Sequence, residues 1–200
     1  MFPLGAVLFP GLAMPLHVFE PRYRALVHDC LQGTPELGIV LIERGSEVGG
    51  GDSRFDVGTR ARIVESRELP DGRWILVVAG IARLRVTRWL PDDPYPLADV
   101  VDLPEEPSSG ATSARRAEVE RSVRRALALR AELGLPAQPV SIELDTDDAV
   151  AAAQCVALAG IGPLDAQRVL ATDGLDDRLA LLGDLLADEL EVLARRAQGG

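Results

Sequence analysis

Pro15-Leu-His-Val-Phe-Glu-Pro-Arg-Tyr-Arg24 is the stretch on which the fold turns. A proline has φ locked near the helical value and no N–H to lose, so Pro21 suits a first helical position and holds Glu20 in extended geometry. The segment therefore reads as a strand that becomes a helix at one residue. Beyond it, Tyr23, Leu26, Val27, Cys30 and Leu31 recur at helical spacing as one apolar stripe, and Gly33 is a natural stop. Before it, Leu16, Val18 and Glu20 alternate with Pro15, His17 and Phe19. Because both sets carry apolar residues, the strand is expected to be covered on both faces.

Working outward, Phe2 to Phe9 reads as a first strand, closed by the Pro10-Gly11 turn. Leu37-Gly-Ile-Val-Leu-Ile42 is a continuous apolar run of strand length. The loop after it holds Gly45, Gly49, Gly50 and Gly51, but lacks the spacing of a phosphate-binding loop and reads as a surface loop. Residues 57–64, 74–79 and 82–88 read as three strands, with Asp71-Gly72 as a hairpin turn and Gly80 as a break. In the last of these, Leu84 and Val86 alternate with Arg83, Arg85 and Thr87, which predicts one buried and one wet face. Leu97 to Asp102 closes the sheet.

Leu103-Pro-Glu-Glu-Pro-Ser-Ser-Gly110 is rich in breakers and charge. Everything after it has helical periodicity. The expected organisation is a β domain over residues 1–104, a linker over 105–112 and a helical subdomain over 113–197. Ser113 is the expected cap of a helix running to about Gly134, and Thr146-Asp147 start an alanine-rich helix to about Gly160. Gly162-Pro163 starts a short helix that Thr172-Asp-Gly174 ends. The last helix carries Leu175, Leu179, Leu182, Leu186, Leu190 and Leu193, a core stripe too short for a sustained coiled coil.

Composition narrows the chemistry. The chain has 200 residues, 47% hydrophobic and 26% charged, with net charge −10. Residues 1–104 hold 11 arginines against 14 carboxylates, or −3, and residues 105–200 hold 10 against 17, or −7. That balance repels phosphate backbones, so nucleic-acid binding would need a local basic patch, and Arg60, Arg62, Arg83 and Arg85 are the residues that could form one, with Arg88 beside them. All 21 basic residues are arginine, so this stretch supplies no P-loop lysine, Schiff base or Ser-Lys dyad. Cys30 and Cys155 are far apart and read as buried free thiols; with only two histidines, His17 and His28, no zinc spacing arises. No metal or cofactor is expected. No apolar run would span a bilayer and no signal peptide is evident, so a cytoplasmic location is expected.

The side chains that could make a binding site cluster around the opening stretch. Glu20 and Arg24, with Arg22 nearby, either clamp a ligand or brace the strand-to-helix turn. His17 reads as a hydrogen-bonded structural histidine, and His28 as solvated. Leu12 and Met14, just upstream, either expose an adaptable apolar surface or belong to the core. On the bracing view, changes at His17, Glu20 or Arg22 disturb folding.

Phe2-Pro-Leu, Val7-Leu-Phe-Pro-Gly11, Pro15 to Arg24, Val57-Gly-Thr59, Asp71-Gly-Arg73 and Tyr95-Pro96 together resemble the amino-terminal substrate-binding domain of the ATP-dependent protease Lon. Asp165-Ala-Gln-Arg-Val-Leu170, Asp176-Asp-Arg-Leu179 and Asp188-Glu-Leu-Glu-Val-Leu193 are similar to the closing helices of that family. The resemblance implies an α+β fold: a PUA-like, mainly antiparallel β pseudobarrel with one early helix, followed by an all-helical subdomain. It implies a stand-alone, non-catalytic module without ATPase or protease activity that binds unfolded or partner polypeptide; Leu12, Met14, His17, Glu20 and Arg22, from the reading above, are the candidate contacts. Two alternatives remain beside it: RNA binding, as PUA-like barrels do elsewhere, or a small-molecule pocket between barrel and helices with Glu20, Arg22 and His17 as its polar groups.

Overall fold

The computed structural model describes residues 1–47, 51–105 and 109–198. Six strands and five helices are found among them: β1 (Phe2–Leu4), β2 (Ala13–Val18), α1 (Pro21–Gln32), β3 (Glu36–Arg44), β4 (Ser53–Glu68), β5 (Trp74–Leu90), β6 (Leu97–Asp102), α2 (Gly110–Glu132), α3 (Asp148–Ala159), α4 (Pro163–Ala171) and α5 (Leu175–Gln198). They form two compact units, Met1–Pro104 and Glu105–Gly200. The fold is α+β.

In the first unit the strands order as β1-β3-β4-β5-β2, with β6 also on β5. β1 runs parallel to β3 and every other pairing is antiparallel. Two long strands carry the sheet, and bulges bend them so that it curls into a half-barrel. Inside the curl lie Leu16, Val18, Ile39, Ala61, Ile63, Leu76 and Val78, closed by Tyr23, Leu26, Val27 and Cys30 of α1. The junction at Pro21 forms as its chemistry demands: Glu20 is extended (φ −68°, ψ 137°), Pro21 opens α1, and Gly33 ends it with its N–H on Asp29 O.

Three local expectations change. β2 is covered on one face only: Leu16 and Val18 are buried, whereas Pro15, His17 and Phe19 are exposed, because β2 is an edge strand of a curled sheet and only its concave side meets core. The first strand stops at Leu4; Leu8 and Phe9 are buried without pairing, and Thr59 Oγ1 donates to Leu8 O at 2.6 Å. Residues 74–79 and 82–88 are not two strands but one, since Gly80 bends β5 instead of ending it. At that bend Gly11 N–H donates to Gly80 O (3.0 Å) and Gly80 N–H to Leu12 O (2.9 Å), so the Phe9–Leu12 turn lies directly on the β5 backbone. A Cβ at Gly80 would run into the Phe9 carbonyl oxygen and sit 2.9 Å from its carbon. Gly72 takes φ 78° in the expected hairpin, and Gly45 and Gly51 also have positive φ; Gly49 and Gly50 lie outside the described residues.

The helical unit is organised by α2, against which α3 and α5 pack. Its cap is Ser109, not Ser113: the Ser109 side chain accepts from Thr112 N–H, and Thr112 Oγ1 accepts from Ser109 N–H. Ser113 lies inside the first turns and its hydroxyl reaches Asp148 instead. The helix thus starts at Gly110, inside the expected linker, of which residues 106–108 fall outside the described residues. Asp147 caps α3 by accepting from Ala149 and Val150 N–H, and Gly160 ends it at φ 72°. Arg116 of α2 anchors the approach to α3, donating to Asp145 O (2.6 Å), Thr146 O (3.1 Å) and Asp148 (2.9 Å) while pairing with Glu120. Along α5, Leu175, Leu179, Leu182, Leu186 and Leu193 are buried and Leu190 half-buried, so the stripe is core.

Candidate functional site

The half-barrel is not closed. β1 and β2 are the two ends of the strand order, and a cleft of about 510 Å³ is lined by both. Phe2, Pro3, Leu4 and Ala6 contribute from β1 and the turn after it, Met14 to Val18 from β2, and Phe19, Glu20 and Tyr23 from the junction into α1; Glu47 completes the rim. The sequence builds this locally. Among the described residues the short β1 pairs with one strand, β3, in parallel, Phe2 opposite Ile39 and Leu4 opposite Leu41, which leaves its other edge open. The junction at Pro21 then places the end of β2 and the start of α1 on one side of the gap.

The lining is mostly apolar, with polar groups at the margin. Phe19 is 48% exposed, a large aromatic left in water beside the cleft. Tyr23 stacks on Phe2 with ring centroids 4.4 Å apart, and the Arg22 guanidinium lies over the Tyr23 ring, 4.4 Å from its centroid. Burial pushes the Tyr23 phenol up to about 12, against the pull of Arg22; its hydroxyl is buried and has no partner among the described residues. Glu20 accepts from Arg22 Nε at 3.2 Å, and Arg22 Nη2 reaches Glu47 O. Glu47 in turn accepts from Gly5 N–H at 2.5 Å. Such a surface can hold extended apolar side chains and carries the Glu20 and Glu47 carboxylates at its edge.

Of the expected binding residues, the fold brings Met14, His17 and Glu20 into one cleft. Arg22 does not line it; its Nε donates to Glu20 at 3.2 Å, whereas the Arg24 guanidinium lies beside Gly72. Leu12 does not line it; it packs on the core. His17 is exposed and not a core histidine; its ring lies 6.0 Å from that of Phe19. Phe2, Leu4, Phe19, Tyr23 and Glu47 were not read from the sequence as site residues. Phe19 carried a usable signal, an aromatic on the outer side of an edge strand; Phe2 and Glu47 carried none, because only long-range pairing brings them here.

The arginines considered for nucleic acid are differently disposed. Arg83 is 3% exposed, on what alternation marks as the wet face. Arg60 binds Glu36 (2.9 Å) and Asp102 (2.8 Å), and Arg62 binds Glu36 (2.8 Å). These two bonds hold the Glu36 carboxyl below its usual range. Carboxylates thus already offset the charge a phosphate backbone would seek. A second concavity holds Arg54, bound to Asp52 (2.5 Å) and Asp92 (2.9 Å) with its guanidinium over Trp89. Cys30 and Cys155 are buried free thiols, with Cys155 pushed up to about 12 by desolvation. Among the described residues no group of three or more His, Cys, Asp or Glu converges as a metal site, and no helix is long and apolar enough to cross a membrane.

Comparison with known proteins places this geometry. Residues 1–188 match the family model described as the ATP-dependent protease La (LON) substrate-binding domain. The chain is 30% identical over 197 residues to Lon protease 2 of Myxococcus xanthus, covering 94% of this chain and 23% of that protein. It is 29% identical over 196 residues to Lon protease of Trichlorobacter lovleyi, covering 96% and 24%. The chain therefore spans about a quarter of the length of these relatives. Among solved structures, a Lon N-terminal domain protein from Xanthomonas campestris superposes with TM-score 0.61 at 24% identity, covering 93% of this chain and 95% of that one. The N-terminal domain of a Mycobacterium avium complex Lon protease gives TM-score 0.66 at 19% identity, covering 93% and 97%. At these identities the likeness is one of fold.

Proposed function

Because this chain belongs to the ATP-dependent protease La (LON) substrate-binding domain family, we propose that it is a polypeptide-binding module that performs no chemistry itself, taking extended or unfolded segments into the cleft between β1 and β2. One observation carries the reading: an apolar cleft opens between the two unpaired ends of the sheet, with Phe19 exposed beside it. Met14, His17 and Glu20 are the contact residues among those expected, Phe19 joins them, and Arg22 holds Glu20 in place. Apolar segments exposed by unfolding fit such a surface; folded proteins, with their apolar residues inside, do not. In a cell the fitting setting is substrate capture for proteolysis in the cytoplasm.

The test is fluorescence anisotropy with a reduced, carboxymethylated model protein that cannot refold. Binding is expected at about 10 to 100 µM, as for a single shallow contact. Replacing Met14 and Phe19 by serine removes about 1 to 2 kcal/mol of apolar contact, roughly a tenfold loss. Phe19→Ser alone should leave the thermal midpoint in place, because Phe19 is exposed, whereas Met14 is half-buried against the core. Absence of binding to the unaltered chain at about 1 mM would remove the reading.

A further inference from the structure

The cleft has a property that its apolar lining does not explain. β2 pairs with β5 on one side, and among the described residues no strand pairs with its other side. The register runs without a break from Ala13 opposite Ala79 to Val18 opposite Trp74. Gly80 N–H donates to Leu12 O just before it. Backbone groups of a strand point alternately to its two neighbours. Leu12, Met14, Leu16 and Val18 therefore turn theirs toward β5, and Ala13, Pro15 and His17 turn theirs outward. Pro15 agrees with this parity, since a proline fits a strand only where its missing N–H is not needed by the ladder. Its position also leaves a defined pattern on the open edge: donors at Ala13 and His17, acceptors at Ala13, Pro15 and His17.

Resting on the proposed polypeptide-binding function, we propose that the occupant docks as an added strand on the open edge of β2, an extended segment with apolar residues at alternate positions and a basic residue near one end. Only a peptide backbone supplies donors and acceptors at the strand repeat, and alternate side chains of an added strand would enter the cleft between Phe2, Leu4 and Phe19. The basic residue follows from charge. The cleft is lined by Glu20 and Glu47 and, among the described residues, by no arginine, on a β unit whose acids outnumber its arginines. The Tyr23 hydroxyl, buried at the same site without a partner among the described residues, is a further group such a segment could satisfy on entering.

The probe is a capped peptide of about eight residues, strand length, alternating valine with threonine and ending in arginine, together with two versions N-methylated at every valine or at every threonine. One methylated set should bind about tenfold more weakly than the parent, having lost two or more bonds to β2, while the other changes by less than about threefold. A second arm alters the protein. His17→Pro removes an outward N–H and no ladder bond, whereas His17→Ala removes only the side chain; the proline variant should bind about tenfold more weakly than the alanine variant. Equal effects of the two methylation patterns, or equal binding by the two His17 variants, would overturn strand addition while leaving side-chain capture of polypeptide intact. If the parent peptide fails where the carboxymethylated protein binds, the edge is not the docking element. Failure of both probes would remove the polypeptide-binding function itself.

Discussion

Replacing Gly80 by alanine tests how the fold creates the cleft. The added methyl meets backbone, not a yielding side-chain tip: the Phe9 carbonyl oxygen, its carbon at 2.9 Å and Pro10 Cα at 3.1 Å. The Phe9–Leu12 turn must lift off β5, stretching the bonds Gly11 N–H to Gly80 O and Gly80 N–H to Leu12 O. Two hydrogen bonds contribute about 2 kcal/mol, and overpacking adds about 1 to 3 kcal/mol. The smaller entropy of the unfolded alanine chain offsets about 0.7 kcal/mol. The net loss is about 2 to 4 kcal/mol. Both tryptophans, Trp74 and Trp89, lie on β5, so their fluorescence during urea unfolding reports the β unit alone. The far-ultraviolet helix signal comes mainly from α2 to α5. The tryptophan transition should move to lower urea. A shift of less than about 0.5 kcal/mol in the tryptophan transition would refute the close approach of turn and strand.

Arg116→Met should do the opposite, lowering the stability of the helical unit by about 2 kcal/mol through loss of its bonds to Asp145 O, Thr146 O and Asp148, with the tryptophan transition unchanged. Alkali should weaken the helical unit: the Cys155 pKa is raised in the folded state from 9.0 to about 12, so the stability it contributes is complete below about pH 9 and lost as pH rises toward 12. Cys155→Ala should flatten that fall in urea midpoints measured from pH 8 to 11. Neither thiol should react with a chromogenic disulfide at pH 8 until the unit that buries it unfolds. Ser109→Ala should cost about 1 kcal/mol and Ser113→Ala much less, a pair of urea midpoints that separates the true cap of α2 from its neighbour.

The parts of the fold legible in sequence are those whose causes are local. Pro21 sets the strand-to-helix junction through its own ring, and the stripe Tyr23, Leu26, Val27 and Cys30 is buried as its spacing predicts. Asp71-Gly72 makes its hairpin because glycine alone tolerates φ 78° there at no steric cost. The candidate cleft was legible in part. Met14, His17 and Glu20 share one stretch and arrive in the cleft together, whereas Leu12 turns to the core.

What escaped the sequence depends on segments far apart in it. Gly80 reads as a break when seen alone; its work is to let a turn some seventy residues earlier lie on its backbone. Alternation separates Arg83 from Leu84 and predicts a wet face for Arg83, yet Arg83 is buried, because the pattern cannot see what covers a face. The same limit applies to His17 and Phe19, which look alike to pattern reading whether β2 sits inside a sheet or at its edge. Hydrophobic period, ring constraint and turn chemistry act over a few residues, so the elements, their order and the family were written in the chain. The parallel seating of Phe2–Leu4 on β3 leaves a gap between β1 and β2, and that gap exists only once strands distant in sequence have paired.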